Sequence, residues 1–166
     1  MRFPASFSVR LPSDNAIRVT RDFDAPPAAV FDAFTRPELV RRWLLGPPGW
    51  TMPQCDIDLR VGGAYRYVWR FEADGAQMGM GGTFREVVPH ERLVATERFD
   101  DAWYPGEAVD TTTFTAVDGH TRVTIDILYE SQEARDTARR SGMEPGMAAG
   151  YDRLEALLES PFGERT

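Results

Sequence analysis

"GGAYRYVWRFEADGAQMGMGGTFREV", residues 62 to 87, sets Tyr65, Tyr67, Trp69 and Phe71 at alternate positions and follows them, after Asp74-Gly75, with Met78, Met80 and Phe84 in the same phase. A two-residue period belongs to a strand, and Asp-Gly is a strong hairpin signal. Taken as a two-residue turn, it places Phe71 opposite Met78, Trp69 opposite Met80 and Tyr65 opposite Phe84. One face is then aromatic and thioether throughout. The other carries Arg66, Val68 and Arg70 against Gly79, Gly81 and Thr83 and reads as solvent-side. A row of large aromatic side chains fits either a packed core or the wall of a hollow that holds a ligand, and both readings stand at this point.

The flanking sequence extends the sheet. "PHER" turns the chain into "LVATERF" (93 to 99), and a four-residue loop brings Glu97 beside Phe84 on the apolar face. A second Asp-Gly, at 118 and 119, pairs Phe114 with Val123 and Thr112 with Ile125, leaving Thr111, Thr113 and Thr115 outside with Arg122, Thr124 and Asp126. Upstream, "AIRVTRDFDA" (16 to 25) alternates Ile17, Val19 and Phe23 with charged residues. Asp24 is a candidate N-cap for a helix that opens on proline and carries Val30, Phe31 and Phe34. Pro37 starts a second short helix with Leu39, Val40 and Trp43. Near the end, Ser131 is an N-cap for "QEARDTARR", and "SGMEPG" interrupts. A helix from about Pro145 to Glu159 then carries Met147, Tyr151, Leu154, Leu157 and Leu158 as one stripe. Antiparallel strands with helices grouped at the two ends give an α+β class.

Composition narrows the function. A chain of 166 residues suits one domain, drawn here over 15 to 160 with tails at 1 to 14 and 161 to 166. A net charge of −7 argues against nucleic acid or an anionic membrane as partner, since either calls for a basic patch. No apolar run approaches the ~20 residues of a membrane span, and "MRFPASFSVRLPS" lacks the apolar stretch of a signal peptide, so a cytoplasmic address is expected. All 19 basic residues are arginine, which excludes Schiff-base chemistry on lysine. Cys55 is the lone cysteine and is expected to pack. His90 and His120 both fall in predicted turns, so neither a metal centre nor a Ser-His-Asp relay is expected, and no cofactor. "GMGGTF" lacks a phosphate-loop lysine and lies in a strand, where its glycines serve curvature or close packing.

Five segments carry a family resemblance: "DAPPAAVFDAFTRPELVRRW", "DLRVGGAYRY", "GGTFREVVPHERLVATE", the Asp-Gly hairpin into "TRVTI", and "SGMEPGMAAGYDRLEALL". Together they resemble the START-like (SRPBCC) superfamily, and within it the homologues of the activator of the heat-shock protein ATPase, also called the polyketide-cyclase-like group. The resemblance implies a helix-grip fold: a curved antiparallel sheet around a long C-terminal helix, two short helices after the first strand, and a deep cavity between sheet and helix. Fold alone does not name a function, because the superfamily holds carriers, receptors, cyclases and co-chaperones.

Candidate site residues follow from that shape. Tyr67, Trp69, Met80 and Tyr151 are expected as cavity walls, joined by Tyr65, Met78 and Phe84 on the hairpin and by Ile125 and Tyr129 further along. Trp43 ends the second short helix, and Met143 and Met147 offer adaptable lining. Trp103 and Tyr104, in "FDDAWYPGEAVD", stand either at the cavity mouth or in a corner that plugs the sheet. Glu97 is the candidate polar anchor or acid/base, with an ion pair to an arginine as the structural alternative. Asp58 and Arg60 read as a structural ion pair. The leading expectation is a small-molecule binding protein for an apolar or aromatic ligand. A cyclase- or dehydratase-type enzyme would use Glu97 to move a proton while a tyrosine or an inward Arg70 polarises a carbonyl. A co-chaperone role follows only from the family name, as does a chaperone partner, and homodimerisation through sheet edges or the long helix stays open.

Overall fold

A computed structural model of the chain describes residues 6–101, 104 and 106–159. Eight strands form one antiparallel sheet: β1 (Ser8–Arg10), β2 (Ala16–Phe23), β3 (Trp50–Ile57), β4 (Ala64–Phe71), β5 (Gln77–Val88), β6 (Arg92–Phe99), β7 (Ala108–Val117) and β8 (His120–Leu128), in the order β1-β2-β8-β7-β6-β5-β4-β3. Between β2 and β3 lie α1 (Pro27–Thr35) and α2 (Pro37–Trp43); α3 (Gln132–Arg140) and α4 (Met143–Glu159) close the chain. The architecture is the helix-grip α+β fold. No helix of the described residues is long and apolar enough to cross a membrane.

The second Asp-Gly turn behaves as its sequence dictates. Asp118 and Gly119 both take positive φ, 48° and 82°, as a tight hairpin turn requires, and Phe114 pairs with Val123 and Thr112 with Ile125. The first one does not. Phe71 N donates to Ala76 O, Ala76 N donates to the Asp74 carboxylate, and Gly75 alone takes a positive φ of 76°, so the turn is longer than two residues. Trp69 therefore faces Met78, Tyr67 faces Met80 and Tyr65 faces Gly82. The slip is two residues, which preserves the face of every side chain. A similar slip pairs Phe84 with Ala95 rather than bringing it beside Glu97. Trp69 and Tyr65 are buried, whereas the side chains of Arg66 and Arg70 are 42 % and 50 % exposed, Arg66 bonded to Asp100 at 2.6 Å. An inward Arg70 is thereby ruled out.

Bulges curve the sheet where β5 meets β6, between Phe84 and Glu86, and where β3 meets β4, between Thr51 and Gln54. Gly82 serves close approach: a Cβ there would run into the Thr96 carbonyl. Three local expectations change. Asp24 is not the cap of α1, which starts at Pro27 with Pro26 in the cap position and no side-chain cap. Helix α4 begins at Met143, directly after Gly142 turns the chain at φ 87°. Residues 8–10, within the stretch expected as a tail, pair with β2 as an edge strand. Ser131 does cap α3, accepting from Ala134 N at 3.0 Å, and Asp58 does pair with Arg60 at 3.0 Å.

The alternation in β2 holds one residue that its hydrophobic pattern hides. Ile17, Val19 and Phe23 face inward, and so does Arg21, 1 % exposed. Its guanidinium reaches Glu155 at 3.1 Å and Asp152 at 3.2 Å, both on α4, and lies 5.2 Å from the centre of the Phe23 ring. Tyr151 and Leu154 of α4 are buried on the same side. Leu154 is wholly buried, so Leu154→Ala should cost ~2–5 kcal/mol in a urea unfolding experiment. An unchanged unfolding midpoint would show that this face of α4 does not carry the packing.

Candidate functional site

Under the first half of α4 the sheet does not close. A cavity of about 540 Å³ lies there, within the range typical of small-molecule sites. Its floor comes from the inward faces of β4 to β8, its roof from Met143, Gly146, Met147 and Gly150 of α4, and one side from Trp43, Leu44 and Leu45 at the end of α2. Thirteen of the wall residues expected from the sequence line it. Tyr65, Tyr67, Trp69, Met78, Met80 and Phe84 stand on the hairpin floor; Ile125 and Tyr129 continue it; Trp43, Met143, Met147 and Tyr151 close it; Tyr104 turns in from its loop. Trp103 lies outside the described residues. Phe34, Leu93, Ala95, Asp110 and Thr112 also line the cavity and were not anticipated.

Two indole N–H groups fix the walls. Trp43 donates to Ala33 O at 2.9 Å and Trp69 to Leu44 O at 2.7 Å, so each ring is held by a satisfied donor and presents carbon to the interior. Tyr65 and Tyr67 meet at 5.2 Å between ring centres, Tyr67 and Trp69 at 5.8 Å, and Tyr104 and Tyr129 stand edge to face at 5.1 Å. Burial raises the pKa of all four tyrosines at the acidic end, Tyr65, Tyr67, Tyr104 and Tyr129, and the nearby Glu97 and Asp110 carboxyls raise them further. These phenols are neutral donors at physiological pH, not bases. Tyr65 gives its proton to Thr96 O at 2.6 Å and Tyr104 to Glu97 Oε2 at 2.7 Å.

Polarity converges on two acids. Glu97 pairs across the β6–β7 ladder with Ala108, and Asp110 pairs with Ala95, so the two carboxyls are diagonal neighbours, each opposite an alanine that leaves it room. Glu97 is thus bonded to a tyrosine rather than matched to an arginine. The Asp110 carboxyl is close enough to Glu97 to feel its charge, and its Oδ1 is buried with no donor among the described residues. Burial first, and the Glu97 charge second, hold Asp110 well above the ordinary carboxylate range. The arrangement sets two carboxyls together at one point of an apolar chamber, with Asp110 biased toward its protonated form. Asp110 was legible in principle: Thr112 and Phe114 were placed inward, and two residues back along the same strand is Asp110.

Other reactive groups stay out of the lining. His120 meets Asp22 at 3.3 Å and His90 packs edge-on against Phe31 at 5.5 Å. Cys55 is buried in β3 with its thiol pushed up to about 11 by burial, so it packs as expected.

The Asp110 shift has a sign that can be measured. An acid whose folded-state pKa lies above its unfolded value binds its proton more tightly when folded, so the fold loses stability as pH rises between the two values. Below about pH 4 both states are protonated and the residue contributes nothing. Asp110→Asn should therefore be near neutral at acid pH and progressively more stable than the parent as pH rises, in urea unfolding followed across pH. Parallel stability curves for the two proteins would contradict the upward shift of Asp110.

Comparison with known proteins places the chain. Residues 24–159 match the family described as "Activator of Hsp90 ATPase homolog 1-like protein". A crystal structure of a protein from Rhodobacter sphaeroides superposes with a TM-score of 0.87 at 29% identity, over 92% of this chain and 97% of that one. One from Chromobacterium violaceum gives 0.78 at 32% identity, over 89% and 99%, and one from Mycobacterium smegmatis gives 0.81 at 25%, over 92% and 96%. Among curated protein sequences, none matches this one significantly. With the family match spanning most of the domain and the helix-grip fold shared along nearly the full length of its structural relatives, this chain belongs to the family of Activator of Hsp90 ATPase homolog 1-like proteins.

Proposed function

We propose that the protein binds a small apolar or aromatic molecule in the cavity between its sheet and the first half of α4. The observation that carries this reading is the cavity itself: about 540 Å³, walled by aromatic and thioether side chains whose own polar atoms are mostly satisfied, with polarity gathered at Glu97, Asp110 and Tyr104. A surface of that kind gains free energy by excluding water from both walls and ligand, while the few polar groups orient what enters. The heat-shock ATPase in the family description belongs to the protein for which the family is named.

One observation favours a second reading, an enzyme of the cyclase or dehydratase kind. Asp110, its proton held more tightly than usual, stands diagonal to Glu97 and gives the two-carboxyl pair that moving a proton across a substrate requires. The two readings separate on conservative variants once a ligand is found: Glu97→Gln should act through affinity alone for a carrier, but cut turnover by about 10²–10⁴ for an enzyme.

Binding itself is tested with Nile red, a neutral dye that brightens in apolar surroundings. The protein should bind it in one-to-one ratio, and Ala95→Phe, which drives a ring into the cavity from the middle of β6, should abolish binding while leaving the circular dichroism spectrum unchanged. Undiminished dye binding by a folded Ala95→Phe would place the dye elsewhere and overturn the proposal.

A further inference from the structure

The cavity's chemistry specifies the charge of its occupant. Among the described residues that line it, Glu97 and Asp110 are the only ionisable groups other than tyrosines; no arginine or histidine reaches the lining, and the chain has no lysine. Buried Arg21 on β2 is engaged with Glu155 and Asp152 of α4 and is not among the lining residues. An acidic cavity wall without an internal cation is an uncommon arrangement, because a buried carboxylate is costly unless a partner offsets it.

The acceptors also outnumber the donors. Tyr104 supplies one hydrogen bond, to Glu97 Oε2. Asp110 Oδ1 is buried without a donor among the described residues; the Tyr151 hydroxyl, on a residue 2 % exposed that lines the same cavity, has no partner there either and can donate as well as accept. A ligand hydroxyl brings one donor to this end of the chamber, whereas a protonated amine brings up to three and a positive charge. Around the acids stand the rings of Tyr65, Tyr104 and Tyr129, close enough to feel both carboxyls. Aromatic faces attract an ammonium and add to what the carboxylate contributes. An anionic ligand meets the opposite: like charge in a medium of low dielectric, with no arginine to neutralise it.

From this, and resting on the reading of the cavity as a ligand site, we infer that the natural ligand is an organic cation, an apolar or aromatic body carrying a protonated amine that docks on the Glu97 and Asp110 carboxyls. Its hydrocarbon portion lies along Tyr67, Trp69, Met78 and Met80 toward Met143 and Met147, and its ammonium sits at the tyrosine-ringed end. The site is a selector for cations among apolar molecules of similar size.

Three probes with one apolar body separate the possibilities: naphthylethylamine, naphthylethanol and naphthylacetate, titrated into the wild-type protein by isothermal calorimetry at neutral pH. The amine should bind about tenfold or more tighter than the alcohol, the difference between a charge-assisted and a neutral hydrogen bond, and the acetate should bind weakest. Glu97→Gln should erase the preference of amine over alcohol while leaving the alcohol's affinity within about threefold, a change smaller than one ordinary hydrogen bond. Equal affinities for amine and alcohol, or a preference for the acetate, would overturn the cation assignment while leaving the cavity as a ligand site. Failure of all three probes in a protein that still takes up Nile red overturns the assignment in the same way. Failure of the probes and of Nile red together overturns the assignment and the binding proposal beneath it.

Discussion

The buried contact between Arg21 on β2 and Glu155 on α4 decides where the last helix is fastened, and the site depends on that placement. An ion pair of this kind adds little to net stability compared with an apolar pair, but losing one partner strands a buried charge, so it strongly disfavours any other seating of the helix. Tyr151 reinforces it one turn away, edge-on to Phe23 at 5.5 Å and stacked on Trp43 at 5.9 Å. Beyond Tyr151 toward its start, α4 changes character: Gly150, Met147, Gly146 and Met143 border the cavity with small or pliable side chains, the two glycines against residues 43–47. The same helix is anchored at one end and leaves space beneath the other. The cavity is a consequence of that asymmetry.

Within the space, size and charge are set by neighbours of different kinds. The rows across β6 and β7 put alanine opposite each acid, which makes room for carboxyls where a bulkier pair would have closed the sheet into core. Tyrosines, kept neutral by burial and by the acids themselves, supply hydroxyl donors without adding positive charge. Aromatic carbon covers the rest. The chamber is apolar over most of its surface and acidic at one point.

The sequence foretold the faces of the strands more firmly than their pairings. Alternation in "AYRYVWRF" requires Tyr65, Tyr67 and Trp69 to share a side whichever residue lies opposite, so a slip of two positions at Asp74-Gly75 left the cavity wall intact. Turn length was not legible there because Asp74 bonds back to Ala76 N and lengthens the loop, a choice between local hydrogen bonds that the dipeptide alone does not reveal. At Asp118-Gly119 no such competitor intervenes, and the pairing came out as read. Two charged residues were hidden by the opposite habit, that of counting only apolar positions. Arg21 and Asp110 both sit in the inward phase of strands whose apolar inward residues the pattern reveals, Arg21 wholly buried and Asp110 with one carboxyl oxygen buried. Trp43 and Tyr104 were ambiguous for a different reason: each depends on how a loop folds back on the sheet, which is a tertiary fact.

A ligand that enters beneath the first half of α4 must touch the methionines there, and methionine methyl resonances report on that contact directly. Met78, Met80, Met143 and Met147 line the cavity, whereas Met52 is buried outside its lining. In a protein labelled at methionine methyl carbons, adding naphthylethylamine to saturation should shift the resonances of those four residues and leave that of Met52 in place. Saturable binding that moves Met52 or none of the five, with the four cavity methyls unmoved, would contradict binding beneath α4.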